Sequence, residues 1–259
     1  MKQKQFVMLS GLPRTGSTLL SSILNQNPKI HAEGNSGLCQ LMWDLEQSCK
    51  NNCGQQLTAS GRMPNTMYDV VSALPNLYYK NVKKPIIFDK CRSWTLYENV
   101  RILREYFPHK PKIVVMIRKM EDIIKSFAKL ELENGFPLEK INQLCANYFI
   151  PMSEPIMRSL NGIVYALECN SDEFLFVNYD DLIDNPNETL NKIYNFCEWD
   201  YYNHDLKNII NKFPEDDEFY GLKGFHQIRP TINKINNNIV LPNEILNFCK
   251  ELDSHIRIT

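Results

Sequence analysis

Four short apolar runs punctuate the chain, each followed by apolar residues at helical spacing. Phe6 to Leu9 predicts a buried strand that stops at Gly11, and Leu19, Leu20, Ile23 and Leu24 then mark one face of a helix. Pro85 to Phe88 predicts a second strand ending at Asp89-Lys90-Cys91-Arg92, and the next helix carries Leu96, Val100 and Leu103 up to Pro108. Lys112 to Ile117 is the clearest strand, ending at Arg118. Ile123, Ile124, Phe127 and Leu130 follow it on a helix that breaks at Asn134-Gly135. Phe174 to Val177 is the fourth strand, ending at Asn178-Tyr179-Asp180-Asp181, with a helix from Glu188 to Cys197 behind Asn185-Pro186.

The connecting stretches are less regular. Lys29 to Gly34 reads as an extended link, and Leu38, Leu41, Met42 and Leu45 as a helix. Cys49 to Pro64, rich in Asn, Gln, Gly and Ser, reads as a mobile loop at a substrate mouth. Leu138 to Glu168 is expected to be helical with a bend at Pro151 or Pro155. The tail holds a glycine-containing knot, Tyr220 to His226, and a last helix near Leu241 to Leu252. With no repeat and no linker, residues 1–259 read as a single domain. The alternation implies an α/β fold: a central parallel sheet with helices on both faces. Ligands of such sheets bind beyond the carboxyl ends of the strands. That rule brings the Gly11 loop, Asp89-Lys90 with Arg92, Arg118, and Asn178-Tyr179 to one rim.

Composition narrows the partners. The 29 basic and 30 acidic residues leave a net charge of −1, which asks for neither a nucleic-acid backbone nor a membrane surface. No stretch has the length of a transmembrane helix, and the N-terminal apolar run is too short for a signal peptide. The eight cysteines are scattered through apolar helical patterns, as buried free thiols of a reducing compartment are. Cys49 and Cys53 lack the second pair that a zinc site needs. The expectation is a cytoplasmic, metal-free protein.

The candidate chemistry begins at Gly11-x4-Gly16, followed by Ser17 and Thr18. A strand that turns through glycines into a helix N-terminus aims backbone N–H groups and the helix dipole at one point, which suits an anion. The frame is that of a P-loop with Ser17 at the lysine position, and Arg14 inside the loop is the replacement cation. Taken alone, the stretch is equally a glycine turn with an ordinary hydroxyl cap. Arg118 leaves the third strand, and Ser126 follows eight residues later on the next helix. Together they offer a guanidinium fork and a hydroxyl to a second phosphate.

In combination these features resemble the PAPS-dependent sulfotransferases, in particular a bacterial-type branch with a P-loop-like fold. The phosphosulfate loop is matched by Pro13-Arg14-Thr15-Gly16-Ser17-Thr18, and the 3′-phosphate motif by Arg118 with Ser126. Asn25 to Pro28, Phe88-Asp89 with Arg92-Ser93-Trp94, Tyr179 to Leu182 and Gly224-Phe225-His226 follow the branch's landmarks in order. The resemblance implies transfer of a sulfuryl group from 3′-phosphoadenylyl sulfate (PAPS) to an acceptor hydroxyl or amine, with release of PAP. It implies donor binding by Arg14, Thr15, Gly16, Ser17, Thr18, Arg118 and Ser126, with Lys223 and Gly224 closing over the 3′-phosphate and adenine. Arg14 and Lys90 are the expected cations for the leaving phosphate. Glu33 is the expected general base, with His31 beside it and Asp89 and His226 as alternatives. Tyr179-Asp180-Asp181 reads as structural, and Trp94 and Trp199 as core aromatics. The acceptor is expected to be a small molecule, a glycan or a peptide, and a homodimer stays open. Two rivals remain: a P-loop kinase or NTPase, for which Ile86 to Asp89 resembles a Walker B strand, and a non-catalytic PAP sensor.

Overall fold

The computed structural model describes residues 4–147, 156–234 and 237–256. Its centre is a sheet of five parallel strands, β1 (Gln5–Gly11), β2 (Ile30–Asn35), β3 (Ile86–Lys90), β4 (Ile113–Ile117) and β5 (Phe174–Asn178), in the order β2-β3-β1-β4-β5. The α/β architecture is as the pattern implies, with one strand more. The stretch read as an extended link is β2, the edge strand. Its apolar content is only Ile30 and Ala32, which alternate with His31 and Glu33. Ile30 and Ala32 are buried on one face, and His31 meets the rings of Tyr79 and Phe213 on the other. Period-two alternation was present, but too short and too polar to read as a strand.

The two faces carry separate cores, because successive strand residues point oppositely. Val7, Leu9, Val114 and Met116 pack with α1 (Ser17–Leu24) and α10 (Pro186–Cys197). Met8, Ile113 and Val115 pack with α5 (Tyr97–Tyr106), α6 (Met120–Glu133), α8 (Ile156–Cys169) and α11 (Asn243–His255). The expected helices stand at these places, and α2 (Leu38–Gln47) covers its own. Leu138–Lys140 is a 3-10 turn leading into α7 (Ile141–Asn147). The bend expected at Pro151 or Pro155 lies outside the described residues.

Cys49 to Pro64 is not the expected loop. It forms a π turn (Ser48–Asn52) and α3 (Gly54–Ala59) before α4 (Asn65–Tyr78). Cys49 is buried, and Leu57 and Met63 pack against the core, so a few apolar anchors suffice while Asn, Gln and Ser face water. Tyr179, placed in a structural turn by sequence, opens a short helix, α9 (Tyr179–Asp184), capped by Asn178. All eight cysteines are free thiols. Among the described residues no helix is long and apolar enough to cross a membrane.

Candidate active site

Beyond the carboxyl ends of β1, β3 and β4 lies a cavity of about 460 Å³. Its floor is the loop from β1 to α1. Thr15 is fully buried and donates to the Leu12 carbonyl at 2.7 Å, which fixes the loop from beneath. Gly16 takes a left-handed conformation (φ 77°), and a Cβ there would stand 2.8 Å from the Tyr179 ring. A glycine is therefore required twice over, for its backbone and for its size. No side chain caps α1, so its first N–H groups point into the cavity mouth with the positive end of the helix dipole.

Lys90, the last residue of β3, is 4% exposed, and its Nζ donates to Thr18 Oγ1 at 3.3 Å. Burial lowers its pKa, and Glu215, whose Oε2 is 3.7 Å away, opposes that shift. Lys90 is the cation at the cradle itself. Arg14 turns elsewhere: its Nε donates to Ser126 Oγ at 3.0 Å, Nη1 donates to the Phe225 carbonyl, and the guanidinium lies 5.3 Å over the Phe225 ring. Burial, and then the neighbouring charge of Arg118, depress the Arg14 pKa. Arg118 donates from Nη1 to the Arg14 carbonyl at 3.0 Å and stacks 4.1 Å from the Tyr179 ring centre. Its Nε is buried without a hydrogen-bond partner. A buried, charged, unpaired donor is costly unless an acceptor arrives. The wall here, with Ser126 and two guanidinium groups, fits a second anion.

Of the residues singled out by sequence, Arg14, Gly16, Ser17, Thr18, Lys90, Arg118, Ser126, Gly224 and His226 line the cavity. Thr15 supports it from below. Lys223 is exposed and outside the lining, with its backbone held by the Asn134 side chain at 2.9 and 3.0 Å. Glu33 and His31 do not line the cavity and bond each other at 3.0 Å. Asp89 is fully buried rather than on the rim. Its two oxygens accept from Tyr79 Oη and Trp94 Nε1, both at 2.6 Å, and burial raises its pKa against those bonds. That geometry occupies the carboxylate a Walker B strand would offer to a metal. No residue of the Cys49–Pro64 stretch lines the cavity.

Sequence reasoning missed a group behind the lining residues Asn35, Lys90 and His226. Glu215 accepts from the Asn35 backbone N–H at 2.6 Å and lies 3.0 Å from His226 Nε2, whose Nδ1 meets Asp217 at 2.7 Å. Burial pushes the Glu215 pKa up. The His226 hydrogen bond, the Lys90 charge and the Asn35 N–H outweigh it and hold the group at about 2. The only local signal was Gly34, beside which this carboxylate packs: a Cβ there would stand 2.6 Å from it.

The Sulfotransferase family model matches residues 7–203. A search of curated protein sequences found no match. Among solved structures the chain is similar to the sulfotransferase domain from the curacin biosynthetic pathway (15% identity, 99% of this chain and 98% of that one, TM-score 0.58). It is similar also to the sulfotransferase domain from the Synechococcus PCC 7002 olefin synthase (19% identity, 97% and 95% covered, TM-score 0.52). A third likeness is to the mouse sulfotransferase SULT7A1 complexed with PAP (11% identity, 100% and 86% covered, TM-score 0.56). At these identities the structural likeness speaks for a shared P-loop-like fold, and the family match covers most of the sequence. The chain belongs to the sulfotransferase family.

Proposed function

We propose that the protein transfers a sulfuryl group from PAPS to a hydroxyl or amine of an acceptor and releases PAP. The observation that carries this reading is the buried, unpartnered Arg118 Nε in the same cavity as the α1 cradle. One cavity thus offers two separated anion sites, as a donor with a 5′-phosphosulfate and a 3′-phosphate requires. In this reading Gly16, Ser17 and Thr18 hold the phosphosulfate through backbone N–H groups and hydroxyls, while Thr15 keeps the loop in shape. Lys90 offsets charge developing on the leaving 5′-phosphate. Arg118 and Ser126 take the 3′-phosphate, and Arg14 bridges the two sites. Gly224 and its neighbours cover the nucleotide, and the exposed Lys223 reaches the 3′-phosphate end on closure. Residues 1–259 act as one domain in this scheme, and the acceptor is a small molecule, a glycan or a peptide. An ATP enzyme is disfavoured by Ser17 at the lysine position and by the occupied Asp89 carboxylate.

The test is thermal shift of the full chain with PAP, with PAPS, and with ATP plus Mg²⁺. A ligand at a hundred times its Kd adds about 2.7 kcal/mol to the folded state. PAP and PAPS should therefore raise Tm by several degrees. Stabilisation by ATP with Mg²⁺, and none by PAP, would overturn the proposal.

A further inference from the structure

We infer that Glu215 is the general base of the transfer, a carboxylate delivered to the reacting end by the C-terminal segment. The inference rests on the sulfotransferase reading and concerns a residue beyond the 7–203 stretch that the family match covers.

Three observations carry it. The first is position. Lys90 Nζ lies 3.3 Å from Thr18 Oγ1 and 3.7 Å from Glu215 Oε2, so one ammonium group links the carboxylate to the cradle. The second is that the segment is built to place it. From residue 212 to residue 220 the chain is exposed except at Glu215 and Asp217. Gly34 leaves the space the carboxylate fills, and the Asn35 backbone N–H fixes Oε1 at 2.6 Å. The third is an exit for the proton. Oε2 lies 3.0 Å from His226 Nε2, and Asp217 orients that ring through Nδ1 at 2.7 Å. Glu215 is held by Asn35, Lys90 and His226, which line the cavity, whereas Glu33 bonds His31, and neither of those two lines it.

The acceptor oxygen forms a bond to sulfur while the bond from sulfur to the bridging oxygen of the phosphosulfate breaks. That electron pair stays on the 5′-phosphate of PAP, beside Lys90. The acceptor proton passes to Glu215 Oε2. As Lys90 is drawn to the leaving oxygen, its hold on Glu215 weakens and the carboxylate becomes the stronger base. Lys90 from β3, Asn35 from β2, and His226 and Asp217 from the C-terminal segment are the polar and charged groups around it.

The experiment compares wild type, Glu215→Gln and Glu33→Gln with PAPS as donor and two acceptors, phenol and 4-nitrophenol. The assay pH lies above the pKa of 4-nitrophenol and below that of phenol, and PAPS hydrolysis by water is measured alongside. Glutamine keeps an oxygen for the Asn35 N–H, so the segment stays anchored, and PAP binding checks that it does. Glu215→Gln should slow transfer to phenol, and hydrolysis, by about a hundredfold or more, the usual worth of a general base. Transfer to the already ionised 4-nitrophenol should fall by much less, since no proton remains to be removed. Glu33→Gln should not show this dependence on acceptor ionisation. Equal losses with both phenols in Glu215→Gln, or none, would overturn the inference and leave the sulfotransferase reading standing. So would a wild type that binds PAP but turns over PAPS with neither phenol nor water. A wild type that neither binds PAP nor turns over PAPS would instead overturn the functional reading itself.

Discussion

Two glycines make opposite predictions, because one is needed for its backbone and the other for its emptiness. Gly16 sits at φ 77° with the Tyr179 ring where a Cβ would go. Gly16→Ala combines left-handed strain of about 1–2 kcal/mol with a clash against the residue that stacks on Arg118. It should lower Tm by several degrees and abolish PAP binding, as calorimetry would reveal. At Gly34 the three atoms nearest a Cβ all belong to the Glu215 side chain. Gly34→Ala should fold with near-normal Tm and bind PAP, yet lose turnover as the carboxylate is pushed off its anchor. Unchanged turnover in that variant would count against the role given to Glu215. At this scale the sequence was most legible where the chemistry is local. Arg118, Ser126 and the loop from Arg14 to Thr18 stand out in combination, and all of them but Thr15 line one cavity. Glu215 meets Asn35 across 180 positions of chain, and an acidic stretch in an irregular tail carries no periodicity that could reveal such a meeting.

The elements were legible wherever packing and local pattern agree. The strands at Phe6, Ile86, Val114 and Phe174 are apolar because both faces of a parallel sheet are covered. β2 was missed because its second face is covered through the polar His31 rather than an apolar residue, and α3 because a six-residue helix needs almost no pattern. The union of α2 with α5 gives a prediction of its own. Glu46, fully buried on α2, accepts from Arg101 at 2.8 Å and from Tyr106 at 2.9 Å on α5, and pairs with Lys50 at 2.9 Å. Burial raises its pKa, but the bonds from Arg101, Lys50 and Tyr106 outweigh burial and hold it at about 2, against 4.5 for a free glutamate. A depressed folded-state pKa means stabilisation that is complete above about 4.5 and lost as pH falls towards about 2. Urea midpoints measured across that window should fall steeply in wild type and more gently in Glu46→Gln. At neutral pH Glu46→Ala should cost about 1–3 kcal/mol, since it leaves the buried Tyr106 hydroxyl without its acceptor while Arg101 keeps Glu105. Parallel acid limbs in wild type and Glu46→Gln would refute this account.

For the whole molecule, the strand order explains why the loop after β1 and Arg118 share a cavity. β1 lies between β3 and β4, so the chain leaves β1 towards one edge of the sheet and later returns to its other side. Ligands of doubly wound sheets bind at that reversal. The cradle after β1 and Arg118 after β4 are neighbours for this reason, although the sequence separates them by a hundred positions. The convergence of strand ends on one rim could be read from pattern. The turn of Arg14 towards Ser126, leaving Lys90 as the cradle cation, depends on side-chain packing against Phe225 and could not. The most direct test of two phosphate sites in one cavity is a calorimetric titration of wild type and Arg118→Ala with PAP and with adenosine 5′-monophosphate, which lacks the 3′-phosphate. A charge-assisted hydrogen bond contributes about 1.5–3 kcal/mol. Wild type should therefore bind PAP at least about tenfold more tightly than the monophosphate, and Arg118→Ala should erase that preference while keeping the monophosphate affinity. Equal affinities for the two nucleotides in wild type, or equal losses for both in the variant, would contradict the account.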